Sequence, residues 1–185
     1  MKNMVKIGTR LAVICAVAAV ILGFANAFTA PTIALYKKKV LEQALTSVSE
    51  GFDLGQREEA DKDKIDFFYP LKQDGETAGY VIQIIAKGYG GPITLLAGFT
   101  TEGKIIGVQL LSNLETPGLG KRAEEEGYMD KFIGTGSQEK VPQRKTDLSS
   151  EEADAVSGST ITFSGISEAL ARGSNFAKEL GGSQL

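Results

Sequence analysis

The chain contains no histidine, no tryptophan and a single cysteine among 185 residues, and each absence removes a class of chemistry. Ser-His-Asp and Cys-His catalysis need an imidazole base, zinc and haem centres draw on His or Cys, and an iron–sulfur cluster needs several thiolates. The lone thiol, Cys15, lies inside an apolar N-terminal stretch and cannot form a disulfide within one chain. No catalytic acid–base constellation and no metal-ligand set is therefore expected. A basic surface is lacking too. The formal charge is −3, and residues 1–36 hold Lys2, Lys6 and Arg10 but no acid, which leaves 17 basic against 23 acidic residues downstream, a net of −6. Such an acidic body argues against a nucleic-acid partner.

What is present begins with Leu11 to Tyr36, which carries no charge, and of which Leu11 to Ala30 is apolar apart from Asn26 and Thr29. An α-helix needs roughly 20 such residues to cross about 30 Å of hydrocarbon, whereas the core of a secretory signal is only about 7–15 residues long. The stretch reads as a retained anchor. A cleaved signal peptide is the competing reading, with Ala25-Asn26-Ala27 as its small-residue cleavage site. Lys2, Lys6 and Arg10 on one side balance Lys37, Lys38 and Lys39 on the other, so the charge rule for orientation is tied. One span followed by one long folded body fits export of that body, and places the chain in the inner or plasma membrane as a single-pass protein with its C-terminal domain on the periplasmic or extracellular side.

Beyond the span, Val40, Leu41, Ala44, Leu45 and Val48 form one apolar stripe on a stalk helix that Gly51 ends. Residues 53–64 are polar and read as a solvated loop. Ala78 to Lys87, Ile93 to Phe99 and Lys104 to Leu111 are rich in Val, Ile, Leu and Tyr and are separated by short turn segments; connections of that length permit antiparallel hairpins but not a parallel crossover. The near-continuous apolar runs Val81–Ala86 and Ile105–Leu111, interrupted by Gln83 and Gln109, suggest strands covered on both faces. Helices are expected from Arg122 to Phe132 and from Ser164, as N-cap, to Leu180, with Gly181 as stop and Ile166, Ala169, Leu170, Gly173, Ala177 and Leu180 on one face. The expected class is α+β: an anchor over 1–36, a stalk helix and loop over 37–64, and a folded domain over 65–185 with an antiparallel sheet flanked by helices.

Asp154-Ala155-Val156-Ser157-Gly158-Ser159-Thr160 sets small side chains beside a helix start. Esterification of a phosphate needs an open hydroxyl on backbone that can approach the phosphate closely, and Gly158 has no Cβ to obstruct it. Helix N–H groups favour the resulting anion, and Asp154, which would repel it, is assigned a part in transfer. Such runs are also common as caps and turns. A second segment, Glu115-Thr116-Pro117-Gly118-Leu119-Gly120, follows the third predicted strand, and a third, Gly88-Tyr89-Gly90-Gly91-Pro92-Ile93, precedes the second.

In this order the three segments resemble the recurring motifs of the FMN-binding domain in the G subunit of Rnf electron-transport complexes, and are similar to those of the C subunit of the sodium-translocating NADH:quinone reductase. The resemblance covers roughly residues 75–175 and implies FMN esterified through its phosphate to Thr160, with Thr162 as the fallback acceptor. A dedicated flavin transferase moves FMN from FAD onto that threonine in the family, which more usually has Ala where this chain has Ser159. Ser157, Gly158 and Ser159 would frame the anchor; Thr116 would hydrogen-bond the cofactor, Gly118 would shape the turn and Leu119 would cover an apolar part of the ring. Lys121, Arg122, Arg144 and Lys145 are cations available to the phosphate or the reduced ring. The implied role is a non-autonomous electron relay among the other subunits of a membrane complex that couples ferredoxin:NAD oxidoreduction to Na⁺ or H⁺ movement. A stand-alone exported flavin reductase, for which a substrate-binding domain is missing, and a cofactor-free membrane-anchored interaction domain are the alternatives.

Overall fold

The uncharged stretch and the apolar stripe beyond it fall in one helix, α1 (Lys2–Val48), which contains Pro31. The computed structural model describes residues 2–62 and 64–182, so the expected outer ends of the anchor and of the folded domain, residues 1 and 185, lie outside the described residues. The chain divides into two units, Met1–Leu41 and Glu42–Leu185. In the first, the helix is long and apolar enough to cross a membrane, and its most apolar window is wholly exposed. Large aliphatic side chains such as Leu11, Ile14 and Ile21 open to the surroundings on every side are what a lipid environment accommodates and water does not. This fits a single-pass membrane protein.

The second unit is built on an antiparallel sheet. The expected meander forms as β4 (Glu76–Lys87), β5 (Pro92–Thr100) and β6 (Ile105–Asn113). Three strands precede it that the residue pattern did not announce: β1 (Asp53–Leu54), β2 (Glu58–Lys62) and β3 (Ile65–Gln73). β1 and β2 both pair with β3, giving the order β1-β3-β4-β5-β6 with β2 beside β3. Residues 53–64 are thus not simply a loop. Their charges suit an edge, where one side of the strand meets solvent and apolar alternation is not required. β3 and β4 are joined by Asp74-Gly75, both at positive φ, a two-residue turn whose twist matches that of the strands it connects.

β4 and β5 are buried on both faces, as the apolar run Val81–Ala86 implies, whereas β6, at the sheet edge, is not covered as the run Ile105–Leu111 suggested: only Ile105, Val108 and Asn113 are buried in it. Ile82, Ile84, Leu95, Ala97 and Phe99 lie in one core cluster with Ile166, Ala169, Leu170 and Ala177 of α3 (Thr160–Gly182). Val81 and Leu96, of opposite parity, are fully buried on the other face. There the end of α1 lies against Gly98 and Gly107: a Cβ built on Gly98 would meet Val48 Cγ1 at 2.7 Å. Gln83 and Gln109, the polar interruptions, find partners in Asp66 at 2.6 Å and Ser47 at 3.2 Å. Burying each Leu, Ile or Phe contributes about 1.5–3 kcal/mol.

Two helix expectations are corrected. Arg122 to Phe132 is not one helix but two 3-10 turns, Gly120–Glu124 and Asp130–Phe132, because Glu125 turns to extended backbone and Gly127 takes φ 78°. Ser164 is not an N-cap. α3 already begins at Thr160, and Phe163 N–H donates to the Ser159 carbonyl at 2.9 Å. Nor does Gly181 stop the helix, which continues to Gly182. A short helix, α2 (Ser150–Ala155), precedes it and is capped reciprocally by Ser149 and Glu152.

The sheet and α3 come into close contact at Gly165, where a Cβ would lie 2.0 Å from the Lys87 carbonyl oxygen. Gly165→Ala must push helix from strand and is expected to destabilise the folded domain by about 1–3 kcal/mol or more. Gly182→Ala, with nothing within 4 Å, should stay within about 0.5 kcal/mol of the parent. Urea unfolding of the two variants checks the difference.

Candidate functional site

Two of the glycine-bearing segments, and the helix turn that follows the third, are brought together by one buried side chain, Glu115, which is 5% exposed. Its Oε1 accepts from Gly90 N–H at 2.9 Å, and its Oε2 accepts from the Thr162 hydroxyl at 3.1 Å. One carboxylate thus ties the Gly88–Pro92 turn, the loop after β6 and the first turn of α3. Gly88 and Gly120 make room for it, since a Cβ on either would come within 2.1 Å and 2.4 Å of its oxygens. Asn113, the last residue of β6, completes the knot. Its Nδ2 donates to the Gly120 carbonyl at 3.2 Å and its Oδ1 accepts from Glu115 N–H at 3.0 Å.

Held this way, the loop Thr116–Gly120 turns back on itself, with Leu119 and Lys121 N–H groups both donating to the Thr116 carbonyl. Thr116, Pro117 and Gly118 are exposed, Gly118 at φ 78°, and Leu119 is half-exposed. The Leu119 side chain reaches the other motif: a Cβ on Gly158 would stand 3.6 Å from Leu119 Cδ2. Gly158 has φ 81°, a backbone state that favours glycine. Ser157 is exposed, its hydroxyl accepting from Lys145 Nζ at 2.5 Å and its carbonyl from Arg122 at 3.1 Å. Ser159 is buried and donates to the Val156 carbonyl at 3.2 Å. Thr160, the first residue of α3, is exposed, as is Ile161 beside it at 57%.

Thr162 is the opposite case, 2% exposed and committed to Glu115. Residues two apart on a helix lie about 200° apart around its axis, so one of these threonines faces outward and the other inward. Beneath Ser159 sits Tyr128, whose buried hydroxyl has no hydrogen bond of ordinary geometry. Burial raises its pKa, against the pull of the Ser159 hydroxyl and the Arg122 charge. Lys131 lies 3.6 Å over the Tyr128 ring, its own pKa lowered by burial. Asp147 is held low, first by the N–H groups of Arg144 and Gln143 that it accepts at 2.9 Å and 3.0 Å. A depressed carboxylate of this kind keeps its contribution at neutral pH and loses it only as pH falls through the lowered pKa.

Glu115 as the tie between segments was not read from the sequence, although the residue stands in the second motif. The only available signal was an acid between a strand and a glycine turn. The pairing of Gly158 with Leu119 and the sorting of the four cations were equally out of reach of a one-dimensional reading.

The site offers an open hydroxyl, a Cβ-free approach at Gly158, half-exposed apolar side chains at Leu119 and Ile161, and two cations on Ser157. These residues fit a flat, partly apolar ring carrying an anionic phosphate. A candidate membrane span joined to such a body defines a membrane-anchored flavin-binding domain. Residues 88–175 match the FMN-binding domain family, a stretch that contains all three segments. The chain is 31% identical over 185 residues to the G subunit of the Na⁺-translocating ferredoxin:NAD⁺ oxidoreductase complex of Acetobacterium woodii, covering 91% of this chain and 89% of the relative. It is 26% identical over 160 residues to the G subunit of the proton-translocating ferredoxin:NAD⁺ oxidoreductase complex of Clostridium ljungdahlii, covering 86% and 84%. Against the G subunit of the ion-translocating oxidoreductase complex of Stutzerimonas stutzeri it is 30% identical over 177 residues, covering 90% and 77%. The chain belongs to this family, the FMN-binding G subunits of Rnf-type ion-translocating oxidoreductase complexes.

Glu115→Ala leaves the Gly90 N–H and the Thr162 hydroxyl without their acceptor and is expected to cost about 2–4 kcal/mol. Glu115→Gln keeps the shape and one acceptor and should cost clearly less. Equilibrium denaturation of both variants decides this; equal losses would show that the carboxylate is not the tie.

Proposed function

We propose that this chain carries FMN bonded through its phosphate to Thr160 and passes electrons as one relay within an ion-translocating ferredoxin:NAD⁺ oxidoreductase complex, its flavin domain on the outer side of the membrane. The observation that carries this is the contrast between two hydroxyls in one helical turn: Thr160 is exposed, while Thr162 is buried on Glu115. When bound, FMN takes up and gives back one or two electrons.

The chain's own residues position and shield it. In attachment, Thr160 Oγ forms a bond to the phosphorus of FAD held by a flavin transferase, the phosphoanhydride breaks, AMP leaves, and the hydroxyl proton is given up. Gly158 admits the phosphate to the backbone, with Ser157 and Ser159 framing the turn. Leu119 lies across that turn, where it covers an apolar part of the ring, and Thr116 stands ready on the same loop to hydrogen-bond it; Gly118 sets the loop's reversal. A covalent tether suits a cofactor outside the cell, where a lost FMN is not replaced. Residues 1–36 serve as the anchor, 37–64 as the connection, which includes two edge strands, and 65–185 as the flavin-binding body. The other subunits of the complex supply the preceding and following carriers.

Thr160→Ala is expected to abolish covalent flavin while leaving the fold, because one small exposed side chain replaces another. The intact mass of protein made together with its transferase gives the answer, and an adduct persisting in the Ala variant would move the acceptor elsewhere. Removal of residues 1–36 should leave a domain that no longer sediments with membranes; a fractionation in which it stays tightly bound would misplace the anchor.

A further inference from the structure

Four cations lie close in sequence to the two motifs, and the fold separates them. Lys121 is paired with Glu124 at 3.3 Å. Arg122 reaches from the Ser157 carbonyl at 3.1 Å to Glu125 at 3.5 Å, so its charge is shared and its planar fork braces the turn. Arg144 is exposed, and its backbone N–H serves Asp147. Lys145 differs in what it touches. Its Nζ donates to the Ser157 hydroxyl at 2.5 Å, and, like Arg144, it makes no ion pair among the described residues. The 3-10 turn that carries it, Lys145–Asp147, is fixed by the Asp147 carboxylate accepting from Gln143 and Arg144.

An ammonium group has three donors and no acceptor, and Lys145 spends one of them on a neutral oxygen. An ionised acceptor adds a charge–charge attraction to the ammonium that a neutral hydroxyl does not supply. The Ser157 hydroxyl therefore holds the ammonium in place without satisfying it, three residues along a tight turn from the open hydroxyl of Thr160. The flexible four-carbon stem of lysine allows the head to move from one oxygen to another.

We propose that Lys145 is the phosphate-recognition residue of this site: it binds the phosphate of the incoming flavin nucleotide and remains on the phosphodiester at Thr160, while Arg122 holds the Ser157 peptide. This rests on Thr160 as the acceptor. Lys145 forms and breaks no covalent bond. The Thr160 oxygen–phosphorus bond replaces the phosphoanhydride of FAD, AMP carries away the leaving oxygen, and the threonine proton passes to the transferase or solvent.

The test follows flavin gain by intact mass when the full-length apo chain is incubated with FAD and the flavin transferase of its own cells, together with the ³¹P resonance of the loaded protein. Lys145→Gln should gain flavin about tenfold more slowly or worse, Lys145→Arg should keep most of the rate, and Lys121→Gln should behave as the parent. The phosphodiester resonance should shift in Lys145→Gln and not in Lys121→Gln. Parental kinetics in Lys145→Gln would overturn the proposal. So would slow gain with an unmoved resonance, which would assign Lys145 to the transferase contact. If the parent gains no flavin, or Thr160→Ala gains it as the parent does, the acceptor reading fails first and this inference with it.

Discussion

A buried carboxylate holds the functional end of this domain together. Glu115 accepts from the turn between β4 and β5 and from the first turn of α3, segments that lie 25 and 47 residues away from it in sequence. A carboxylate out of water is costly unless its lone pairs are met by donors, so these bonds are conditions for its being there as well as ties between segments. Small residues satisfy the steric side of that condition at Gly88 and Gly120. The motif segments are therefore parts of one structure, and two of their glycines, Gly88 and Gly120, are explained by the space that one side chain takes up.

From that constraint follows the division of labour between two threonines. Because Thr162 is turned inward onto Glu115, the helix phase turns Thr160 outward, and the turn at Ser157 and Gly158 lies open beside it. The same phase sets Ile161 at the surface while Phe163 and Ile166 enter the core. Packing of α3 on β4 and β5 thus decides which of the two hydroxyls is exposed, and the core and the site share one cause.

Much of the sheet was legible in sequence because β-rich runs separated by glycine turns are local signals. β4, β5 and β6 fall where Val, Ile and Leu are dense. Of the strands that escaped, β2 (Glu58–Lys62) is nearly all polar and pairs at an edge, where solvent rather than a core faces it, while β3 carries Ile65, Phe67, Phe68, Tyr69 and Leu71 but is interrupted by Asp66 and Pro70. The segment 122–132 misled for the opposite reason. Its composition favours a helix, but the backbone turns extended at Glu125 and Gly127 takes φ 78°, which leaves two short turns. The start of α3 was placed too late, since Ser164 has the chemistry of a cap and nothing in the local pattern shows that Thr160 already lies on the helix.

Sequence alone determined the features that a run of residues carries within itself: the uncharged span from Leu11 to Tyr36, the hairpin order of the meander, the three motifs in their order, and a composition without histidine and with a single cysteine. Only the tertiary structure decided which hydroxyl is open, what the acid of the second motif does, and which of four cations reaches the Ser157 hydroxyl. Those depend on contacts between residues tens of positions apart, and on which side of a helix is buried when it meets a sheet. Neither quantity exists until the chain has packed.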